Sequence, residues 1–117
     1  MQDTFRDKVV VVTGGASGIG KCIAGLFRAE GAYVHVIDIK EGDWHVGDLA
    51  RKEAIESFVE EVTGQHDRVD CIINNALPLM KGIDECTYEE FQYALSVGVT
   101  APFYLVKLLK PRSEEHT

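Results

Sequence analysis

Thr13-Gly14-Gly15-Ala16-Ser17-Gly18-Ile19-Gly20 is the stretch that decides the fold, because of what lies on either side of it. Before it, Lys8 to Thr13 contains four consecutive valines, a run typical of a strand buried on both faces. After it, apolar residues recur at helical spacing from Ile19 to Glu30, and Gly31 follows as a helix C-cap. A glycine-rich turn between such a strand and such a helix places free N–H groups and the positive end of the helix dipole where they suit an anion.

The rest of the chain alternates short β-rich runs with longer helical segments, the pattern of a parallel α/β sheet. Further strands are predicted at Tyr33 to Asp38, Trp44 to Val46 and Val69 to Asn74. A helix that ends near Gly64 is predicted between the last two strands. Its apolar face consists of Ile55, Phe58, Val59 and Val62.

The last helix is predicted to begin near Tyr88, because Thr87 and Glu90 have the spacing of a capping box. Pro102 falls inside this helix and should bend it or split it in two, and Pro111 should end it. Its apolar positions are Phe91, Leu95, Val99, Leu105 and Leu109.

Composition and charge restrict the function classes open to this chain. Its 117 residues allow one domain at most, and 45% hydrophobic and 26% charged residues are ordinary for a globular protein. A formal net charge of −7 argues against nucleic acid and against an anionic membrane surface, since both attract Lys and Arg. The first residues show no apolar stretch of a secretory signal, and no run is long enough to span a bilayer. A cytoplasmic location is therefore the default expectation.

The three cysteines and four histidines show no metal-ligand spacing, so no metal site is expected. Cys22 and Cys71 lie in apolar stretches and are predicted to be small buried thiols, with Cys86 more exposed.

The glycine loop resembles the TGxxxGxG motif of the short-chain dehydrogenase/reductase family. In a dinucleotide-binding fold, Gly14 lets the chain turn sharply off the strand, Gly18 brings bare backbone up to a pyrophosphate, and Gly20 lets the helix pack close to the sheet. The resemblance implies a Rossmann-like, doubly wound α/β fold with about four parallel strands in the order 3-2-1-4. It covers the chain as far as Lys110, roughly the first half of the family. We therefore assign residues 1–110 to an incomplete nucleotide-binding domain and residues 111–117 to a polar tail.

Asp38 ends the second strand, close to the roughly 20-residue offset at which such folds place an acid for the adenosine ribose hydroxyls. A carboxylate there repels a 2′-phosphate. In the family, members that prefer NADP usually carry a base at this position or at that of Ser17, so the resemblance implies NAD as the cofactor. Lys40 is the one nearby base that could weaken the preference for NAD over NADP.

Asp48 and Leu49 follow the third strand and resemble the family's Asp-Val/Leu pair, whose carboxylate meets the adenine amino group. Asp48 could also cap the next helix, and both roles can coexist. Nine residues separate Asp38 from Asp48, too few for a helix, so we expect a plain loop that leaves the adenine edge more open.

Asn74-Asn75-Ala76 ends the fourth strand and resembles the family's NNAG motif, which can tie this loop to the neighbouring strand and border the cofactor ribose. Leu77 replaces the motif's glycine. It should change the path of the loop or narrow the cofactor site on its nicotinamide side. Gly98 stands where the family's last helix carries a catalytic Asn that holds a water in the proton relay.

The resemblance thus implies the NAD(H)-binding portion of an oxidoreductase that transfers a hydride between a nicotinamide cofactor and an alcohol or carbonyl compound. The implied cofactor-binding residues are Gly14, Ser17, Gly18, Ile19, Gly20, Asp38, Asp48, Leu49, Asn75 and Ala76. No catalytic residue is assigned, because none of the four tyrosines is followed by Lys at the family's Tyr-x-x-x-Lys spacing. We expect the isolated chain to be inactive, and a premature stop or a frameshift is the explanation we favour for its length.

Two other classes of function stay open: a non-enzymatic nucleotide-binding or interaction module completed by a partner chain, and a non-functional product. Without a fifth strand, Val69 to Asn74 becomes an edge strand, and Asp70 is its one charged residue that could oppose pairing with another chain. Leu95, Val99 and Leu105 should then stay partly bare, so we expect a homo-oligomer or an aggregation-prone chain.

Overall fold

The computed structural model describes residues 4–78 and 81–114, with side chains described as far as Lys110. These residues form alternating strands and helices, and a π-helical turn lies between the last two helices. The elements are β1 (Val9–Thr13), α1 (Gly18–Ala29), β2 (Tyr33–Asp38), β3 (His45–Val46), α2 (Lys52–Gln65), β4 (Cys71–Asn74), α3 (Tyr88–Leu95), the π turn (Ser96–Thr100) and α4 (Ala101–Glu114).

The sheet is parallel and has the strand order β3-β2-β1-β4, as predicted. The central strand β1 pairs with β2 along its whole length and with β4 from Val10 onward. The short strand β3 pairs with β2 only at Ile37 and Asp38. Because all the strands run the same way, the loops that follow them gather at one edge of the sheet.

Helices cover both faces of the sheet, and this explains the valine run. On one face, Val10 and Val12 pack with Val36 and with Ala24 of α1. On the other face, Val9 and Val11 pack against α2 and α4. The buried side chains of those two helices are Ile55, Phe58, Val62, Ala101, Leu105 and Leu109. Each fully buried valine contributes about 1.5 kcal/mol or more to stability, so an apolar β1 holds the layers together.

Gly31 ends α1 as the sequence predicts. Its φ of 91° lies in the left-handed region that favours glycine. The Gly31 N–H donates to the Arg28 carbonyl and the Ala32 N–H donates to the Phe27 carbonyl, both at 3.1 Å. This pair of bonds satisfies carbonyls at the helix end and turns the chain into β2.

Pro102 lies where the last helical segment is divided, in agreement with the predicted bend or split. It is the second residue of α4, directly after the π turn. A proline has no N–H, and its ring clashes with the carbonyl four residues earlier in an α-helix, which here is that of Gly98. The wider π turn, in which the Ala101 N–H donates to the Ser96 carbonyl, replaces the α-helical spacing at this point.

Three local predictions are wrong. Helix α4 continues through Pro111 to Glu114, so this proline does not end the helix. Cys22 is exposed, because α1 turns Gly20 and Ala24 toward the sheet and Cys22 away from it. Cys71 is half-buried and not the buried thiol predicted, and Cys86 is half-buried as well. Leu105 is buried among the side chains of α2.

His35 on β2 and His66 at the C-terminal end of α2 meet ring to ring. Their Nε2 atoms are 2.9 Å apart, and the ring planes are inclined at 76°. One ring must donate and the other accept, so the contact requires at least one neutral histidine. Burial, and after it the charge of His66, lowers the pKa of His35 below its ordinary value of 6.5; Glu61 opposes this and Arg28 reinforces it.

We predict that His35 makes the free energy of unfolding fall as the pH drops from about 7.5 to about 5.5. The pKa of His35 is lower in the folded chain than in the unfolded one, so the unfolded chain binds more protons in acid and protonation favours unfolding. Urea unfolding across this range should show a shallower pH dependence for His35→Gln than for the wild type.

His45→Gln is the matched control, because His45 pairs with Glu61 and lies outside the His35–His66 contact. It should not flatten the pH dependence. Equal slopes for the wild type and His35→Gln would contradict the prediction.

Candidate functional site

The carboxyl ends of the strands border a cleft of about 540 Å³, a size typical of small-molecule sites. Its walls are the glycine loop after β1, the end of β2 with the loop beyond it, the turn after β3 and the loop after β4. Tyr93 of α3 and Val97 of the π turn close it. Seven of the ten predicted site residues line the cleft: Gly14, Ser17, Asp38, Asp48, Leu49, Asn75 and Ala76.

The other three predicted residues, Gly18, Ile19 and Gly20, open α1 beside the cleft. The Ile19 side chain is exposed. A Cβ on Gly20 would collide with the Asn75 side chain and the Gly14 carbonyl, so this glycine lets the helix approach β1 closely.

Gly14 and Gly18 shape the turn itself. Gly14 has a φ of 68°, and a Cβ there would lie 2.9 Å from the Ala76 Cα. Gly18 has a φ of 58°, and apart from its chain neighbours and the nearby backbone of its own helix no atom lies within 4 Å of the place its Cβ would take. Bare backbone therefore faces open space at the point where the resemblance places a pyrophosphate.

The N-terminal end of α1 is uncapped. Ser17 is the N-cap residue, but its side chain makes no capping hydrogen bond, and the first turn carries no acidic residue. The Ser17 Oγ instead lies 3.2 Å from the Lys40 Nζ, which donates to it. The first N–H groups and the positive end of the helix dipole are thus left without a carboxylate or hydroxyl partner from this turn, which suits an anionic ligand.

Asp38 is a buried carboxylate at the end of β2, only 7% exposed. Its Oδ2 accepts the Ala16 N–H at 3.0 Å, and its Oδ1 accepts the Lys40 N–H at 2.9 Å. These bonds tie the glycine loop to the loop after β2 and fix the orientation of the carboxylate. Each oxygen keeps a second lone pair that can accept a ligand hydroxyl.

Asp48 lies in the turn between β3 and α2, and the predicted loop without a helix precedes it. Its Oδ1 accepts the Ala50 N–H at 2.9 Å and the Tyr93 hydroxyl at 3.1 Å. The helix-cap alternative is wrong, because α2 begins after Arg51, which is its N-cap residue. Burial, and then the hydrogen bond to Asp48, raises the pKa of Tyr93 above its ordinary value of 10.0, so the phenol stays a donor at neutral pH.

Asn75 and Ala76 make the predicted tie to the neighbouring strand. Their N–H groups donate to the Thr13 Oγ1 at 3.1 and 3.0 Å. The Asn75 Nδ2 donates to the Gly14 carbonyl at 3.1 Å. The loops after β1 and β4 therefore form one connected wall of the cleft.

Leu77 and Gly98, the two positions that differ from the motifs the sequence resembles, have different surroundings. Leu77 is 85% exposed and lines the cleft together with Pro78. Gly98 is exposed in the π turn, and apart from its chain neighbours and the nearby helix backbone no atom lies within 4 Å of the place its Cβ would take. Packing around the Cβ position therefore does not require glycine at position 98.

Sequence reasoning missed two residues of the site. Thr13 is buried and its hydroxyl holds the loop after β4; the change from valines to a hydroxyl at the strand end is a signal that could have found it. Tyr93 gave no such signal, because its partner Asp48 is 45 positions away in the chain.

Within the part of the chain that the structure describes, no three His, Cys, Asp or Glu side chains come together to hold a metal ion. In the same part, no helix has the length and apolar character needed to cross a membrane.

Comparison with known proteins agrees with the fold and the motifs. The family model for short chain dehydrogenases matches residues 8–116. An NAD-dependent glycerol dehydrogenase from Listeria innocua is 32% identical over 90% of this chain and 47% of its own length. The L-fucose dehydrogenase of Oryctolagus cuniculus is 31% identical over 92% of this chain and 43% of its own length. The chain thus spans about half the length of the curated relatives it matches.

Solved structures show the same relationship. The L-sorbose reductase from Gluconobacter frateurii, solved with NADPH and L-sorbose, matches with a TM-score of 0.85 at 27% identity, covering 96% of this chain and 49% of that one. A short-chain dehydrogenase/reductase from Brucella melitensis matches with a TM-score of 0.87 at 23% identity, covering 100% and 56%, and supports the fold alone. The family match over most of the chain establishes that this protein belongs to the short-chain dehydrogenases, a family that uses nicotinamide dinucleotide cofactors.

Proposed function

We propose that this chain is the NAD(H)-binding portion of a short-chain dehydrogenase/reductase. The observation that carries the proposal is the buried Asp38 carboxylate, held by two backbone N–H groups beside an uncapped helix N-terminus. When bound, the nicotinamide supplies the hydride chemistry of the family, between an alcohol and the corresponding carbonyl compound.

The residues present fit such a cofactor. The bare backbone at Gly18 and the uncapped start of α1 would hold the pyrophosphate. The Asp38 carboxylate would accept the hydroxyls of the adenosine ribose. The Asp48 carboxylate, across the cleft, would meet the adenine.

Two charges near the ribose oppose each other in the choice between NAD and NADP. Asp38 repels a 2′-phosphate, whereas Lys40 attracts one. Asp38 is almost fully buried, while Lys40 is an exposed side chain whose Nζ is engaged with Ser17. Solvent and salt screen an exposed charge more than a buried one, so the carboxylate should dominate.

We predict that the chain binds NAD(H) at least about tenfold more tightly than NADP(H), because each 1.4 kcal/mol of repulsion is tenfold in affinity. Asp38→Asn keeps the shape and removes the charge, and should reduce that ratio. Isothermal titration calorimetry with each cofactor measures it.

Asp43→Asn is the matched control, since Asp43 is an exposed carboxylate in the same loop that does not line the cleft. It should leave the ratio unchanged. Tighter binding of NADP(H) than of NAD(H) by the wild type would overturn the assignment of NAD.

Catalysis is a separate matter from binding. The 117 residues contain no tyrosine followed by lysine at the family's relay spacing, and Gly98 cannot hold a water through a side chain. Proton transfer by a positioned side chain contributes about 10²–10⁴-fold to rate, so its loss removes most of the chemistry.

We predict that the purified chain shows no dehydrogenase turnover with alcohols. NADH formation followed by absorbance should match that of a Gly14→Val variant, in which the new Cβ would press on Ala76. Steady NADH production above that background would show that other residues complete the relay.

The edge of β4 and the outer face of the last helices support self-association. The Asp70 carboxylate points inward, accepting the Val9 N–H at 2.8 Å and pairing with Arg68 at 2.5 Å, so its charge does not blunt the outer edge. Exposed apolar side chains also lie along α3, the π turn and α4. They are Phe91, Leu95, Val99, Phe103 and Val106.

We predict that the chain is a homo-oligomer or aggregates, with β4 and this apolar stripe at the contact, because exposed strand edges and contiguous apolar patches both drive association. Light scattering over a concentration series measures the molar mass. Val99→Lys with Phe103→Lys should lower it, whereas Ile19→Lys, at a still more exposed apolar residue on α1, should not. A wild-type monomer at high concentration would contradict the prediction.

A further inference from the structure

We propose that Tyr93 is a positioning residue that holds the Asp48 carboxylate so that it selects a ligand with an adenine amino group. This inference rests on the proposed dinucleotide-binding function and assigns part of its base specificity to one hydroxyl group.

The two oxygens of Asp48 are not equivalent. Oδ1 accepts two hydrogen bonds, one from the Ala50 N–H and one from the Tyr93 hydroxyl. Among the described residues, Oδ2 has no hydrogen-bond partner, and in the same part of the chain no buried side-chain oxygen is left without one. Oδ2 is therefore accessible. A carboxylate held through one oxygen presents the other as an acceptor in the cleft that Asp48 lines.

Tyr93 is the contact that fixes the carboxylate to the rest of the fold. The bond from Ala50 is local to the turn and moves with it. That turn follows β3, which has two residues and pairs with β2 at two positions. Tyr93, in contrast, belongs to α3 and is followed by the buried Ala94 and, one turn later, by the buried Val97. The turn itself is anchored by the buried Leu49 and by the Gly47 N–H, which donates to the Asp38 carbonyl at 3.0 Å. Among the described residues, however, Tyr93 is the one side chain that donates to the Asp48 carboxylate, so the tyrosine links this carboxylate directly to a packed helix.

The surroundings of Tyr93 and Asp48 suit a flat nucleotide base that carries a hydrogen-bond donor. Tyr93 and Val97 lie four positions apart, so they share one face of the helical segment, and both line the cleft with Leu49. Their apolar surfaces leave the Asp48 carboxylate as an acceptor beside them. An adenine amino group can donate to that acceptor, whereas the carbonyl oxygen of hypoxanthine at the same position would face it with like partial charge.

The test compares NAD⁺ with nicotinamide hypoxanthine dinucleotide, which differs at that base position. Isothermal titration calorimetry gives the affinity of each for the full chain, the Tyr93→Phe variant and the Tyr88→Phe control. The wild type should prefer the adenine compound. Loss of the hydroxyl should reduce that preference about 3- to 10-fold, the effect of one hydrogen bond to a charged acceptor that is partly solvated.

Tyr88→Phe removes an equivalent hydroxyl one or two turns earlier on α3, where it contacts Gln92 and not the cleft. It should leave the preference unchanged, and thermal unfolding of each variant confirms that the fold is retained. Because the measured quantity is a ratio, a general loosening of the site, which weakens both ligands alike, does not reproduce the expected result.

The outcomes separate this inference from the proposed function. NAD⁺ binding with the same base preference in the wild type and Tyr93→Phe, or equal weakening of both ligands, overturns the role of Tyr93 and leaves the dinucleotide site standing. Equal affinity of the wild type for the two ligands overturns base selection by Asp48. A wild type that binds neither overturns the proposed function and this inference with it.

Discussion

The burial of β1 on both of its faces is the constraint on which the rest of the structure depends. Val9 and Val11 require a helical layer on one side and Val10 and Val12 a layer on the other, so α1, which connects β1 to β2, and α2, which connects β3 to β4, lie on opposite faces of the sheet. Parallel strands follow from such crossovers. All the strand ends then reach one edge, and this places four loops from distant parts of the chain around a single cleft.

Hydrogen bonds between loops hold the cleft in shape. Their acceptors are side-chain oxygens, and their donors are backbone N–H groups or a tyrosine hydroxyl. Thr13 connects the loop after β4 to β1, Asp38 connects the glycine loop to the loop after β2, and Tyr93 connects the turn after β3 to α3. The Thr13 hydroxyl accepts two N–H groups and uses both of its lone pairs, whereas the carboxylates of Asp38 and Asp48 keep lone pairs that no described donor uses. These two carboxylates therefore order the loops and keep capacity for a ligand, so little ordering remains to be done when one binds.

The π turn shows how one residue alters the helix before it. Pro102 excludes the α-helical position of the Gly98 carbonyl, and the chain responds by widening over Ser96–Thr100. Gly98 costs about 1 kcal/mol relative to alanine in an α-helix, yet no neighbouring atom demands a glycine there. The place of a Cβ at this position faces open space, so glycine there is not a requirement of the packing.

The sequence by itself determined the strand order, the glycine loop and the acids at the ends of β2 and β3, because hydrophobic period, glycine spacing and chain order act locally or through topology. Seven of the ten predicted site residues line the cleft for that reason. Only the tertiary structure decided the rest: that Tyr93 meets Asp48, that the Asp70 charge turns inward, that Leu105 is buried and Cys22 is not. These outcomes depend on how helices rotate against the sheet and on contacts between residues far apart in the chain, which no local pattern encodes.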